Sequence, residues 1–345
     1  MDVVGLDIGF GFTKATNGRE CIVFKSLLGE ASEIQFRMNI GRGEPIRSMH
    51  VTLDGQSYFV GEYAEQQSSV RQFTLDQEHL TEDMSRVLAL AALGHLVDSY
   101  APINLVTGLP VGYYREYHPR IKKVLAGPHE ITFEQSDGAG QSRKLNIGQV
   151  RVIPQPLGSV FNLLMNDTGR LGNRDLAREK IGVVDIGFRT TDFCIFDRLQ
   201  YVERGSATTD TGISRCFGLI AKKLREESGV NLELYRLYKA VETGFIKVRG
   251  KEYNLARIRD AVYASTAQII AGDAERLWAD DWDMDTILIT GGGAAELAER
   301  LKPMICGQVL AMDPNVDSRL NNVIGYQKYA RYLWDRSAEP TPPQA

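Results

Sequence analysis

The sequence contains few cysteines and no long apolar run. Its four cysteines are scattered without a C-x-x-C pair, so neither a disulfide framework nor a zinc site is predicted. No apolar stretch approaches the ~18 residues that cross a bilayer, and the first residues lack the basic segment of a secretory signal. We therefore expect a reduced, cytoplasmic protein without membrane contact.

An excess of charge of either sign is also lacking. The chain has 40 Lys plus Arg against 44 Asp plus Glu, a formal net charge of −4, so direct binding of nucleic acid through a strongly basic surface is not predicted. Hydrophobic residues make up 43% of the 345 residues, enough for a large core. At about 150 residues per domain, this length indicates roughly two domains.

The short motifs of several common enzyme classes are missing. There is no G-x-x-x-x-G-K-[ST] loop, and no G-x-G-x-x-G opens a helix after the first predicted strand. H-E-x-x-H and G-x-S-x-G are absent as well. These absences exclude a P-loop nucleotidase, a Rossmann dehydrogenase, a zincin protease and an α/β-hydrolase.

The patterns that are present run from strands to helices twice along the chain. This order predicts a two-lobed α/β protein. We assign residues 1–154 to a first domain, to which a final helix at 319–336 returns. Residues 155–318 form the second domain, and residues 337–345 form a flexible tail.

An internal repeat is the strongest feature of the sequence. Asp7-Ile8-Gly9-Phe10 follows an apolar strand, and Asp185-Ile186-Gly187-Phe188 follows another. Each copy leads into a second strand that begins with threonine. One such turn alone is typical of an ordinary hairpin, whereas two copies, each opening a lobe, predict two turns that face each other across a cleft.

The residue types in this repeat suit a polyphosphate with a magnesium ion. Glycine lets the backbone approach an anion, and a tight turn points successive N–H groups at it. An aspartate at a strand end holds a hydrated Mg²⁺, which keeps several of its waters, so Asp7 and Asp185 are the predicted metal residues. Threonine hydroxyls add donors, and Lys14 offsets phosphate charge. The predicted phosphate-binding residues are Gly9, Gly11, Phe12, Thr13, Lys14, Gly187, Thr190 and Thr191.

A glycine-rich turn, Gly291-Gly292-Gly293, follows a predicted strand and precedes a helix. It is either a plain loop before a helix or a place where backbone approaches a nucleotide. The second interpretation uses the positive end of the helix dipole, which favours negative charge.

Together these segments resemble the superfamily of actin, sugar kinases and DnaK-type chaperone ATPases. The resemblance implies a two-lobed actin-like (ribonuclease H-like) α/β fold with duplicated β-sheet-plus-helices domains around a nucleotide cleft. Its five motifs are Asp7–Lys14 and Asp185–Asp192 for phosphate, Gln155–Ser159 and Arg319–Gly325 as connecting segments, and Ile289–Gly293 for adenosine.

Within that superfamily the chain looks most like the bacterial and archaeal actin-like proteins of the ParM type. It lacks the long added domain of a chaperone, residues 106–114 are similar to a turn typical of ParM-type proteins, and Gln155 stands where actins carry glutamine. The resemblance implies binding and slow hydrolysis of ATP or GTP with Mg²⁺, coupled to a homopolymer filament. It also implies a role in plasmid DNA segregation, often with a DNA-binding adaptor protein.

The resemblance also implies individual roles. Gln155 would orient the attacking water, and Asp185 would act in catalysis by holding waters of Mg²⁺. Lys239 and Glu242, one helical turn apart, would reach the ribose or base; an exposed ion pair between them is the alternative.

Two other functions stay open at this point. A small-molecule kinase or phosphatase of the same fold needs an additional carboxylate as base, for which Asp192 and Asp210 are the nearby candidates. A non-polymerising scaffold of the FtsA or PilM kind would carry a membrane-targeting helix, for which residues 337–345 are too short and too rich in proline.

Overall fold

The computed structural model describes residues 2–32, 45–97, 100–134, 140–311 and 317–335. The chain divides into two compact units. Unit 1 comprises residues 1–109, 113–174 and 322–345, and unit 2 comprises residues 110–112 and 175–321. The predicted flexible tail, 337–345, lies outside the described residues.

This division differs from the boundaries expected from the sequence, because residues 155–174 lie in unit 1 and the returning segment begins at 322 rather than 319. The reason is close packing between the helix that contains Gly158 and the last helix of the chain. A Cβ added to Gly158 would lie 2.5 Å from the Tyr326 ring and 2.6 Å from the Asn322 carbonyl oxygen. Ser159 donates a further hydrogen bond to Asn322 Oδ1, at 2.7 Å from its hydroxyl.

Unit 1 is built on a mixed sheet, which has ten strands among the described residues, in the order β3-β2-β1-β8-β10-β9-β5-β6-β4-β7. The strands are β1 (Asp2–Ile8), β2 (Phe12–Thr16), β3 (Cys21–Lys25), β4 (Leu28–Glu30), β5 (His50–Leu53), β6 (Gln56–Val60), β7 (Arg71–Gln72), β8 (Pro102–Leu109), β9 (Gly127–Glu134) and β10 (Gly140–Pro154).

The helices of this part of the chain pack on the sheet and connect its strands. They are α1 (Glu62–Gln67), α2 (Gln77–His79), α3 (Ser85–Leu96), α4 (Val111–Leu125) and α5 (Leu157–Leu164), with a 3-10 turn at Pro45–Ser48 and a π-helical turn at Leu80–Met84. Helix α3 is buried along nearly its whole length, as expected for a helix that is apolar all round.

Unit 2 has a five-stranded sheet and a separate two-stranded one. Its strands are β11 (Lys180–Ile186), β12 (Thr191–Asp197), β13 (Gln200–Thr209), β14 (Phe245–Val248), β15 (Lys251–Asn254), β16 (Thr286–Thr290) and β17 (Gln308–Ala311). Its helices are α6 (Ile213–Ser228), α7 (Tyr238–Thr243), α8 (Ala256–Leu277) and α9 (Ala294–Leu301), with 3-10 turns at Leu176–Arg178, Leu234–Arg236 and Ser318–Leu320. Helix α10 (Asn321–Trp334) follows, and all but its first residue belongs to unit 1.

The same strand arrangement occurs in both units. In unit 1 it is β3-β2-β1-β8-β10, and in unit 2 it is β13-β12-β11-β16-β17. In each unit, the three of these strands that come first along the chain form an antiparallel meander. The other two strands run parallel to the first strand of that meander. The predicted duplication of β-sheet-plus-helices domains is therefore confirmed at the level of topology.

Apolar periodicity predicts one helix over residues 80–100 and another over residues 232–241, and both are shorter in the structure. The predicted helix at 80–100 begins with the π-helical turn and ends at Leu96, because Val97 adopts an extended conformation. The predicted helix at 232–241 is a 3-10 turn followed by the short α7. Both patterns correctly indicated buried apolar faces but not where the backbone leaves the helix.

Candidate nucleotide site

The turn between β1 and β2 presents backbone N–H groups. The Gly9 amide donates to the Phe12 carbonyl at 3.1 Å. Ser26, directly after β3, donates from its amide to the Gly11 carbonyl at 3.0 Å and from its hydroxyl to the Gly9 carbonyl at 2.5 Å. Within the described residues, the amides of Phe10 and Gly11 donate no hydrogen bond. The carbonyls of Gly9, Gly11 and Phe12 are thus occupied, while the amides of Phe10 and Gly11 remain for an anion.

Asp7 and Lys14 form a buried ion pair beside this turn. They are cross-strand partners, and Lys14 Nζ lies 2.7 Å from Asp7 Oδ2. A Cβ on Gly9 would lie 3.4 Å from the same ammonium nitrogen, which places this cation against the turn. Thr13 is fully buried, and its hydroxyl lies 2.9 Å from the Ser26 hydroxyl, so it braces the hairpin from inside.

The turn between β11 and β12 repeats this geometry. The Gly187 amide donates to the Thr190 carbonyl at 2.8 Å. A Cβ added to Gly187 would lie 3.0 Å from the carbonyl oxygen of Thr190. A Cβ added to Gly9 would lie at nearly the same distance, 3.1 Å, from the carbonyl oxygen of Phe12. The other carbonyls of the second turn accept hydrogen bonds from the start of α6: Gly187 from Ile213, Phe188 from Ser214, and Arg189 from Gly212. Both turns are therefore braced by a later segment of their own unit.

The two threonines of the second turn have partners within unit 2. Thr191 is fully buried and donates from its hydroxyl to the Thr211 carbonyl at 2.8 Å. The Thr190 hydroxyl donates to Asp192 Oδ2 at 3.2 Å. The Thr190 amide donates no hydrogen bond among the described residues, so its backbone rather than its side chain is available to an anion.

The glycine-rich turn after β16 packs directly on Asp185. Because β11 and β16 are parallel neighbours that pair Asp185 with Thr290, their carboxyl ends meet at one edge of the sheet, the usual place for a ligand in such sheets. The Gly293 amide donates to the Ile186 carbonyl at 2.8 Å. Gly291 has φ +88°, and a Cβ there would lie 2.2 Å from Asp185 Oδ1, so only glycine fits.

A charged pair lies beside this turn. Arg319 donates to both carboxylate oxygens of Asp317, at 2.6 to 2.9 Å, and its Cγ would lie 3.3 Å from a Cβ on Gly292. The hydrogen bonds that Arg319 donates to Asp317 raise the pKa of Arg319, although burial lowers it, and the negative charge of Glu242 adds to the increase. Arg319 is thus a fixed cation next to the glycine-rich turn.

Lys239 and Glu242 are exposed on α7. No ion pair joins them in the part of the chain that the structure describes, so the alternative of a surface pair is wrong. Burial raises the pKa of Glu296, on α9, and Glu242 adds to this shift. The charge of Glu242 is therefore felt on the helix that follows the glycine-rich turn.

Gln155 follows β10 and is held by its backbone. Its amide donates to the Leu109 carbonyl at 2.8 Å, and its carbonyl accepts from the Tyr326 hydroxyl at 3.1 Å. The side-chain amide makes no hydrogen bond within the described residues. Since β1, β8 and β10 are parallel neighbours, Gln155 and the turn after Ile8 lie at the same edge of the unit 1 sheet.

Asp192 has a structural role that the sequence did not predict. It is buried and accepts hydrogen bonds from the Val111 amide at 2.7 Å, from the Thr190 hydroxyl, and from the Thr208 hydroxyl, which itself accepts from the Gly112 amide at 2.7 Å. Asp192 thus caps the first turn of α4. The signal was in the repeat, where Asp192 occupies the place of Lys14.

This geometry weakens the case for a kinase or phosphatase. The carboxylate of Asp192 is buried and engaged by three donors, which keeps it out of contact with a substrate. The other candidate base, Asp210, is exposed and ion-paired with Arg189 at 2.5 Å. Ser26, the brace of the first turn, was also not predicted, because no sequence motif marks it.

Asp192 predicts a pH dependence of stability. Burial, opposed by its hydrogen bonds, raises the pKa of this carboxyl from 3.8 to about 6. The native state therefore retains a proton that the unfolded chain releases, so the stability from this group is complete below about pH 4 and is lost as the pH rises to about 6. Two pKa units correspond to about 3 kcal/mol. Urea unfolding should show that wild type gains about this much over Asp192→Asn between pH 7 and pH 4; a constant difference would contradict the assignment.

Within the described residues, no group of three or more His, Cys, Asp and Glu side chains is placed to hold a metal ion. A magnesium ion bound with a nucleotide keeps waters and needs few protein ligands, so Asp7 and Asp185 remain its candidates. In the same part of the chain, no helix is long and apolar enough to span a bilayer.

Comparison with known families supports what the geometry indicates. Residues 5–158 match the family of actin like proteins, N terminal domain, and residues 183–303 match the family of archaeal actin homologue MreB-like proteins, C-terminal. Together these matches span about four fifths of the chain. The fold and the paired turns define an actin-type protein, and the chain belongs to the actin-like protein family. No curated protein matches the chain.

Solved structures of similar fold include ParM proteins and an archaeal actin homolog. A subunit of a 15-stranded ParM filament from Clostridium botulinum has a TM-score of 0.81 at 23% identity, covering 96% of this chain and 99% of that chain. The archaeal actin homolog Ta0583 has a TM-score of 0.79 at 21% identity with the same coverage, and it has also been solved in complex with ADP. The predicted actin-like fold is therefore confirmed.

Proposed function

We propose that this protein binds and slowly hydrolyses ATP or GTP with Mg²⁺ and forms filaments, in plasmid DNA segregation or a related cytoskeletal role. The observation that carries the proposal is the repeated turn. In both units an aspartate ends the first strand and is followed by a turn with the same glycine amide hydrogen bond. Two such turns in one chain suit the charged tail of a nucleoside triphosphate.

Each unit supplies its own phosphate contacts, and unit 2 also supplies those to the nucleoside. In unit 1 the amides of Phe10 and Gly11 bind phosphate oxygens, and Lys14 neutralises their charge. In unit 2 the Thr190 amide takes the same role. The glycine-rich turn lies against the nucleoside, with Arg319 and Glu242 on its base side.

Magnesium, when bound, supplies positive charge that offsets the charge on the phosphates. Asp7 and Asp185 would hold its waters, as two buried carboxylates that each lie one residue before the end of an apolar strand. Binding of a metal and phosphate would separate the ion pair between Asp7 and Lys14, because the carboxylate and the ammonium then each gain a new partner of opposite charge.

Gln155 orients the water that attacks the terminal phosphate. Its backbone is fixed while its side-chain amide is available, and an amide both donates and accepts hydrogen bonds. An amide is not a strong base, so only positioning of the water and charge stabilisation accelerate hydrolysis. The resulting slow turnover suits a timer in a filament.

Self-association is supported by the filament structure of a ParM protein with the same fold. A homopolymer in the cytoplasm, linked to its cargo by a DNA-binding adaptor protein, fits a chain whose charge is nearly balanced. Nothing in that charge balance favours direct nucleic-acid binding.

Right-angle light scattering and electron microscopy test the proposal directly. Tens of micromolar protein should assemble within minutes of adding Mg²⁺ with ATP or GTP, and should assemble less with the diphosphates. Phosphate release should lag behind the scattering signal. A protein that stays monomeric with every nucleotide would contradict the filament proposal, and phosphate transfer to a small molecule would favour the kinase.

Replacing Gln155 with alanine is expected to slow hydrolysis roughly 100-fold, because the attacking water loses its orientation. Nucleotide affinity should change less than about twofold, since no binding contact is assigned to this side chain. Steady-state phosphate release and titration with a fluorescent nucleotide measure the two effects. Gln200→Ala, at an exposed position, is the matched control. A loss of affinity as large as the loss of rate would assign Gln155 to binding instead.

A further inference from the structure

Trp282 is the most exposed large apolar side chain among the described residues, with 88% of its surface accessible. The spacing of Trp278 and Trp282, four residues apart, predicts that both are packing residues. Trp278 does so: it is buried, its ring contacts Phe193 edge-on, and its Nε1 donates to the Gly205 carbonyl at 2.9 Å. For Trp282 the prediction is wrong.

The loop that carries Trp282 is held rigidly on both sides. The neighbouring Asp281 is buried, and its carboxylate accepts from Lys180 at 2.9 Å and from Arg204 at 2.6 Å. Burial by itself raises the pKa of Asp281, but the hydrogen bonds and charges of these two cations lower it by more. The carboxylate therefore stays charged. Asp285 and Lys180 exchange two hydrogen bonds, at 2.8 and 2.9 Å.

A tryptophan displayed on a stiff loop is suited to binding another surface. Burying its ring removes a large apolar area from water, and little conformational freedom is lost because the loop is already ordered. Tryptophan is enriched among the residues that dominate binding energy at protein interfaces. Nothing in unit 2 requires the exposed ring, since the ion pairs of Asp281 hold the loop without it.

Charge indicates what this loop meets. Residues 279–285 contain four aspartates, against the two cations Lys180 and Arg204, so the surface around Trp282 is negative. Unit 1 carries exposed cations of opposite charge. Lys122 and Lys123 near the end of α4, and Lys144 and Arg151 on β10, are exposed, and none has an ion-pair partner in the described part of the chain.

We infer that Trp282 and its loop form a contact between successive copies of this chain, with the acidic loop of one copy docking against exposed cations on unit 1 of the next. Because the two surfaces are different, the contact is heterologous, and repetition of such a contact builds a filament rather than a closed dimer. This inference rests on the proposed self-assembly and names the residue that dominates its interface.

Replacing Trp282 with alanine should raise the critical concentration for assembly at least tenfold, measured by pelleting with Mg²⁺ and nucleotide. Nucleotide affinity of the monomer should be unchanged. Tyr332→Ala is the matched control, because this ring on α10 is 63% exposed and has no assigned contact with another copy. Its critical concentration should stay within about twofold of wild type.

A second measurement does not depend on the alanine variant. In Trp334→Phe the remaining tryptophans are Trp278, already buried, and Trp282. Assembly should shift the emission to shorter wavelength and remove the component that acrylamide quenches freely. If acrylamide still quenches Trp282 in the assembled filaments, this inference alone is overturned. An unchanged critical concentration in Trp282→Ala would also overturn it alone. A wild-type chain that never assembles overturns the filament proposal as well.

Discussion

Replacing Asp185 with asparagine is expected to reduce nucleotide hydrolysis roughly 100- to 1000-fold in the presence of Mg²⁺. Asp185 is buried at the end of β11, and the turn at Gly291 brings backbone against its carboxylate. Asparagine keeps the shape but removes the negative charge that attracts magnesium and its waters. Phosphate release at saturating nucleotide measures the effect.

The matched control is Asp197→Asn at the other end of the same hairpin. Asp197 pairs with Lys180 in the register that pairs Asp185 with Asp192, so both variants change one carboxylate on one β-ladder. Only Asp185→Asn should lower the apparent affinity for Mg²⁺. Its unfolding free energy should be equal to wild type or higher, because a buried charge is removed. Full activity in Asp185→Asn would mean that this carboxylate does not act on the metal.

Replacing Gly325 with alanine is expected to destabilise unit 1 by about 4 kcal/mol or more, a change as large as a major core defect. A Cβ at this position would lie 1.7 Å from the Gly158 carbonyl oxygen and 2.9 Å from the Asn162 amide nitrogen. Both are backbone atoms, so α5 and α10 must move apart to accept the methyl group. Urea unfolding followed by circular dichroism measures the loss, and failure to obtain soluble protein is its extreme form.

Gly218→Ala is the control for this substitution. Gly218 also lies in a helix, α6, but a Cβ there would meet nothing within 4 Å. The change should raise stability by about 1 kcal/mol, because alanine loses less backbone freedom on folding. If Gly325→Ala were as well tolerated as Gly218→Ala, the close approach of the two helices would be refuted.

The sequence identified Gly158 and Gly325 only as members of the two connecting motifs. The structure supplies the reason for their size, since each lies where one helix backbone approaches the other. Sequence separation hides such a relation, because 158 and 325 become neighbours only after the chain returns to unit 1.

The candidate site also contains both residues that the sequence could predict and residues that it could not. Gly9 and Gly187 could be predicted because a tight turn between two strands needs glycine locally, and the repeat showed the pattern twice. Ser26 could not be predicted as the brace of the first turn. Its role depends on the position of β3 beside β2, and serine at the end of a strand is common in any protein.

The sequence by itself determined the duplicated strand–turn–strand units, the glycine-rich turn and the aspartates at strand ends. These are local features, which depend on backbone conformation over a few residues and on apolar periodicity. Only the tertiary structure decided that Asp192 caps α4, that Arg319 lies beside Gly292, and that Trp282 is exposed while Trp278 is buried. Those outcomes depend on which distant segments exclude water from a side chain, and no local pattern encodes that.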